Sequence, residues 1–467
     1  MGERDDNQAT ARGRAFPDLP RPPKTVFVRR GEPASDRGDA ARVTLPGSKY
    51  LTLRYLLNAA LAEGESVVRY PALSEDTEAL SRALVALGAR IGWEREGSQW
   101  RTVVQGCGGR PTTPPGGELA MGNAGAALRL LLGVGALLPQ VRYTTDHPES
   151  LGERPNDDLL AALRSLGIAT EAREPGGRLP ITLRGGPPAG GEVTVSGARS
   201  SQYLSALLYL APLLPLGLTI SVRDELRSAP LVWATLRALR MAGISVEASS
   251  DLRRFVTPGG QTFRAREYVI PGDGPSAAAL LAAAVALGTP LRLDRLETDT
   301  PDVRATLDAF AALGVSLAVS NTEPGVVALA GRQRARAATI DGDACIDSVP
   351  ALAALACLGE GTTRFENVAT LRLKESDRIG DLCAELSRAG CAIEPGAESI
   401  TVHGRPEGVA GGVVVAAHDD HRLAQALAIV ASQSERGLTI TGADAVAKSY
   451  PSFFDDLAAL GAESRGV

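Results

Sequence analysis

A sixfold beat limits how this chain can fold more than any other feature. Six times a leucine or alanine meets a glycine where an amphipathic helix gives way to a short apolar run. The copies are Leu87-Gly88-Ala89, Leu166-Gly167-Ile168, Ala242-Gly243-Ile244, Leu313-Gly314-Val315, Ala389-Gly390-Cys391 and Leu460-Gly461-Ala462, spaced 71 to 79 residues apart. A glycine there caps the helix C-terminus, because the closing residue takes a left-handed backbone. A second landmark keeps the same time. Loops rich in Gly, Asp or Ser open Ala/Leu-rich helices near Gly47, Gly122, Gly197, Gly272, Asp341 and Asp419. Each unit therefore reads as loop, buried helix, strand, amphipathic helix, strand. A helix with few polar positions is enclosed on all sides. Six of them predict a core whose loop ends can face one cleft. The period is too long and irregular for the common solenoids.

Composition bounds the rest. The 467 residues are 44% apolar and carry a net charge of −5, which argues against a nucleic-acid binder. The five cysteines, Cys107, Cys345, Cys357, Cys383 and Cys391, form no C-x-x-C pair, so reduced thiols and a cytoplasmic setting are expected. The four histidines lack metal-ligand spacing. No apolar run is long enough to span a membrane. Residues 1–24 lack a secretory apolar block and read as a disordered tail, with a strand starting near Val26.

The loops carry the chemistry. Pro46-Gly47-Ser48-Lys49-Tyr50 runs into an apolar helix, and Lys49 and Arg54 add charge to a helix start that already favours anions. Gly122-Asn123-Ala124-Gly125 opens a helix bearing Arg129, and a glycine lets a ligand approach the backbone. Arg154 precedes another helix. Arg199-Ser200-Ser201-Gln202 places two hydroxyls and an arginine at a helix start, a phosphate cradle to which Ser228 could add a third hydroxyl. Asp347 stands ahead of a wholly apolar helix, where an acid is costly unless it is used or caps the helix. Lys374-Glu375-Ser376-Asp377-Arg378, Asp420-His421-Arg422 and Lys448-Ser449-Tyr450-Pro451 follow. Each loop alone reads equally well as a cap or a solvated turn. Together their cations imply a site for more than one anion, with Asp347 and Glu375 inside it.

Leu45-Pro46-Gly47-Ser48-Lys49, Gly122-Asn123-Ala124-Gly125, Ser200-Ser201-Gln202, the run from Arg372 to Arg378, Asp420-His421-Arg422 and Lys448-Ser449-Tyr450-Pro451 occur in an order that resembles the 5-enolpyruvylshikimate-3-phosphate (EPSP) synthase family of enolpyruvyl transferases. The resemblance runs from about Val43 to Leu460. It implies an α/β fold, a two-domain inside-out α/β barrel of six βαβαββ units, three per domain. One domain would be 47–269 and the other 25–46 plus 270–467. It implies transfer of the enolpyruvyl group of phosphoenolpyruvate to a hydroxyl of a phosphorylated acceptor, with release of phosphate and with no metal or redox cofactor. By position, Lys49, Gly125, Arg154, Arg378, Arg422 and Lys448 would hold phosphoenolpyruvate. Glu375 and Asp347 would move protons with help from Lys49. Ser200, Ser201, Ser228 and Lys374 would hold the acceptor's phosphate. Gln202 would pack on the acceptor, Arg54 would face its far end, and Tyr50, Arg199 and Asp347 would line its side. A monomer working without nucleic acid or membrane is expected.

Departures from the family pattern gather on the acceptor side: Tyr50 for a serine, Leu53 for an asparagine, Ala126 for a threonine, Arg199 for a small residue, Leu231 for an aromatic and Thr370 for an asparagine. A site built to bond a carboxylate binds poorly once that partner is lost. They point to a changed acceptor that keeps a phosphate, such as UMP in nucleoside-antibiotic biosynthesis. The alternative is an ordinary shikimate-pathway synthase. Two other readings are a peptidoglycan-precursor transferase relying on Cys107, and a non-catalytic binding relative.

Overall fold

The computed structural model describes residues 15–31, 40–97 and 99–467. Among these, helices alternate with six four-stranded sheets. Every sheet has one outer strand parallel to its neighbour and two antiparallel pairings. A parallel pair needs a crossover, and in four of the six sheets a helix supplies it. Gly125–Gly135, for example, links Glu118–Ala120 to Gln140–Thr144. All six closing glycines have left-handed backbone, with φ from 76° at Gly314 to 111° at Gly461.

The six apolar helices are Lys49–Leu61, Gly125–Gly135, Ser201–Leu210, Gly274–Leu287, Val349–Cys357 and His421–Ala431. They are buried almost throughout, which explains their lack of a polar face. Two separate hydrophobic clusters result. One spans Leu51 to Ile270. The other joins Val26, Val28, Val43 and Leu45 to Ala277 and the chain beyond it.

Two linkers join these halves, and each follows a strand that pairs within the half it leaves. Ala41–Thr44 pairs with Leu291–Asp294 before its chain enters the Lys49–Leu61 helix. Glu267–Val269 pairs with Glu65–Arg69 before its chain enters Gly274–Leu287. The linkers touch as an antiparallel bridge at Gly47 and Gly272. Ser48 N–H donates to Pro271 O at 2.8 Å, and Asp273 N–H to Pro46 O at 2.9 Å. A Cβ on Gly47 would stand 2.2 Å from Tyr70 O, so only glycine fits the crossing. The crossing lies two residues from Lys49. It therefore holds two helix starts, each from a different half, at one place.

Only part of the expected tail, 1–24, is described. Residues 1–14 lie outside the described residues, but residues 15–24 run along the protein. Phe16 meets Trp93 edge-on with ring centroids 4.6 Å apart. Ala443 N–H donates to Lys24 O at 2.9 Å. Burying Phe16 on Trp93 offsets the ordering cost of a segment already stiffened by Pro17, Pro20, Pro22 and Pro23. Among the described residues no helix is long and apolar enough to cross a membrane.

Candidate active site

The helix starts and loops enclose a narrow cavity of about 60 Å³. Lys49, Tyr50, Asp76, Arg154, Ser200, Ser201, Gln202, Ser228, Asp347, Lys374, Glu375 and Arg378 line it together. Both halves contribute. Lys448 Nζ donates to Asn123 O at 2.6 Å. Ser150 Oγ donates to the Glu375 carbonyl at 3.4 Å.

Arg378 is the hub. It is 1% exposed. Its Nη1 meets Asp347 Oδ1 at 2.7 Å, its Nη2 meets Glu375 Oε2 at 2.8 Å, and its Nε meets Asp420 Oδ2 at 2.7 Å. One planar guanidinium thus orients three carboxylates, which a lysine ammonium could not do. Asp420 also caps the His421–Ala431 helix by accepting from Arg422 N–H at 2.8 Å.

Around Glu375 sit Arg154 Nη2 at 3.7 Å and Lys448 Nζ at 3.5 Å. Burial by itself would raise the Glu375 carboxyl, but Arg154, Arg378 and Lys448 prevail and hold it well below the usual range. Asp347 lies 3.3 Å from Lys374 Nζ. Burial again opposes, yet Lys374, Arg378 and Arg422 hold Asp347 at about 2. A carboxyl depressed on folding stabilises the fold above its unfolded value of about 4. That stabilisation is lost as pH falls toward about 2. Stability measured by chemical unfolding should fall across this window, and Asp347→Asn should flatten the fall. An unchanged slope in the variant would contradict the pairing.

Several buried polar nitrogens beside the cavity lack a hydrogen bond. Arg154 Nε and Nη2, Arg422 Nε, Gln425 Nε2 and the His421 ring Nδ1 find no hydrogen-bond partner among the described residues. An unpaired buried donor is costly. Two arginines left this way beside a cavity mark a place built for an anion. Burial, then Arg422 and Lys49, push His421 well below its usual pKa, so its ring is neutral.

The acceptor side differs in detail from expectation. Ser200 Oγ accepts from Gln202 N–H at 3.2 Å as a helix cap, and Gln202 Oε1 accepts from Arg129 Nη1 at 2.8 Å. Arg199 sits at the rim and pairs with Asp157 at 2.6 Å. Arg54 does not face the cavity. Its guanidinium donates to Thr235 Oγ1 at 2.9 Å and to the carbonyls of Tyr50 and Leu231 at 3.0 and 3.1 Å. It therefore acts as a brace beneath two lining residues, with each of its three nitrogens already bonded. Gly125 offers no free N–H, since it donates to Asn123 O at 3.2 Å. Its contribution is space: a Cβ there would stand 2.6 Å from Arg154 Nη1.

Sequence reasoning missed the acids that hold the cations. Asp76, in the first turn of Glu75–Ala86, lies 3.3 Å from Lys49 Nζ and 4.0 Å from Lys448 Nζ. Asp273 receives Lys49 N–H at 3.2 Å and Arg422 Nη2 at 3.5 Å. Asp76 reads as an ordinary helix-start acid, and Asp273 as a cap, so neither announces a cation partner.

Residues 39–457 match the family described as EPSP synthase (3-phosphoshikimate 1-carboxyvinyltransferase). The chain is 44% identical to a 3-phosphoshikimate 1-carboxyvinyltransferase of Deinococcus radiodurans over 89% of its length and 92% of the relative's. It is 35% identical to the enzyme of that name from Burkholderia pseudomallei, over 91% and 93%. A solved EPSP synthase from Acinetobacter baumannii superposes with a TM-score of 0.77 at 25% identity, covering 94% of this chain and 99% of that one.

Proposed function

Because this chain belongs to the EPSP synthase family of 1-carboxyvinyl transferases, we propose that its acceptor is shikimate 3-phosphate, with phosphoenolpyruvate as the donor. This replaces the reading of a changed acceptor such as UMP. Relatives at 44% and 35% identity carry the shikimate name. Two of the departures also lose their force. Leu53 is fully buried in the core of its half, and Arg199 is already paired with Asp157.

The observation that carries the proposal is the set of unpartnered arginine donors beside two carboxylates. Phosphoenolpyruvate would lie against Lys49, Arg154, Arg378, Arg422 and Lys448. The acceptor's phosphate would lie against Ser200, Ser201, Ser228 and Lys374, with Gln202 and Tyr50 along its ring. The methylene carbon of phosphoenolpyruvate gains a proton from Glu375 as the acceptor oxygen bonds to the neighbouring carbon. Asp347, beside Lys374, takes the hydroxyl proton. The ketal then collapses: a methyl proton returns to Glu375, the carbon–oxygen bond to phosphate breaks, and phosphate leaves with the proton that Asp347 took. Bound phosphoenolpyruvate would occupy the cations that now depress Glu375. Its pKa would rise, and a group able both to give and to take a proton would result.

The two hydrophobic clusters and the crossing at Gly47 and Gly272 support a division into 47–269 and 25–46 plus 270–467, each half an inside-out barrel of three βαβαββ units. Phosphate release with phosphoenolpyruvate plus shikimate 3-phosphate tests the function. Turnover with shikimate 3-phosphate and none with UMP is expected. Turnover with UMP alone would restore the changed acceptor.

A further inference from the structure

We infer that Asp343, which takes no part in the reaction above, is a positioning residue that locks the acceptor end of the site. The inference rests on the acceptor reading just given. Asp343 begins a short 3-10 turn, Asp343–Cys345, in the second half. That turn packs on the Ala229–Met241 helix of the first half. Across this seam the Ser228 N–H donates to Asp343 Oδ2 at 2.8 Å.

Ser228 is unusual. It precedes the helix, yet its φ is 53°, a left-handed backbone that a serine adopts only under constraint. A serine at a helix start ordinarily spends its hydroxyl on capping. Here the side chain makes no capping bond, and Ser228 lines the cavity instead. The left-handed turn releases the hydroxyl for a ligand, and the bond to Asp343 holds the turn. The other Asp343 oxygen, Oδ1, is buried and has no hydrogen-bond partner among the described residues. A carboxylate half-used in this way costs stability, so the surviving bond is what this side chain contributes. Asp343 also stands four residues before Asp347. The five residues 343–347 therefore carry both the latch on the phosphate-side serine and the carboxylate facing the acceptor hydroxyl. The bond sets the two in register only while the halves are together.

Steady-state kinetics of Asp343→Ala and Asp343→Asn, with each substrate varied in turn, test this. Asp343→Ala should raise KM for shikimate 3-phosphate about tenfold, the loss of one hydrogen bond to a charged group. KM for phosphoenolpyruvate should stay within about twofold, because no contact on that side changes. Asp343→Asn keeps an oxygen that accepts the Ser228 N–H and should restore the acceptor KM. A folded Asp343→Ala with the wild-type acceptor KM would overturn the inference. So would an equal rise in both KM values, or an asparagine variant as impaired as the alanine one. The asparagine comparison stays readable if the alanine variant does not fold. Wild-type activity in the same series separates the two ideas. An enzyme silent with shikimate 3-phosphate removes the acceptor reading and this inference with it. An active enzyme matched by Asp343→Ala removes the inference alone.

Discussion

Arg378→Met should lose about 3–5 kcal/mol of stability together with all measurable turnover. The side chain is buried and neutralises Asp347, Glu375 and Asp420 at once. Methionine fills similar space but leaves Asp420 without a cation and takes the shared guanidinium away from Asp347 and Glu375, which keep only Lys374 and Arg154 with Lys448. Thermal unfolding and phosphate release measure the two effects. Adding Asp420→Asn should recover part of the stability, since it removes the acid most completely enclosed, and should recover no activity. A stable Arg378→Met enzyme that still releases phosphate would show that the three contacts do not matter.

Glu375→Gln should behave differently. It preserves shape, removes the charge and leaves Arg154 without a carboxylate partner and Lys448 with Asp76 alone, at 4.0 Å. Phosphoenolpyruvate supplies that partner when it binds, so binding should persist or tighten. Turnover should fall by about 10²–10⁴-fold, the usual contribution of a positioned acid or base. Titration of phosphoenolpyruvate beside single-turnover kinetics separates the two. Weak binding with normal turnover would reverse the assignment of Glu375.

Much of this was legible before any coordinates. The six closing glycines could be read because a left-handed helix end excludes almost every other residue. The cations could be read because each stood at or near a loop that the repeat implied would converge. Other features left no local trace. The pairing of Ala41–Thr44 and Glu267–Val269 depends on segments distant along the chain. Arg54 reads as a site cation, yet its position within the Lys49–Leu61 helix turns it toward Thr235 and two carbonyls. The acids Asp76 and Asp273 gain their role from partners far along the chain. Tyr50 and Leu231 suggested a new acceptor when taken one at a time. In the fold they lie side by side on one wall, their carbonyls held by the same guanidinium.

The addition and collapse assigned to Glu375 pass through a methyl group at the former methylene carbon. Running the reaction in D₂O with phosphoenolpyruvate and shikimate 3-phosphate, and reading that carbon by NMR, tests this most directly. Deuterium in the methylene of the transferred group, dependent on the acceptor and lost in Glu375→Gln, is the predicted result. A product formed at the normal rate with no deuterium there would contradict it.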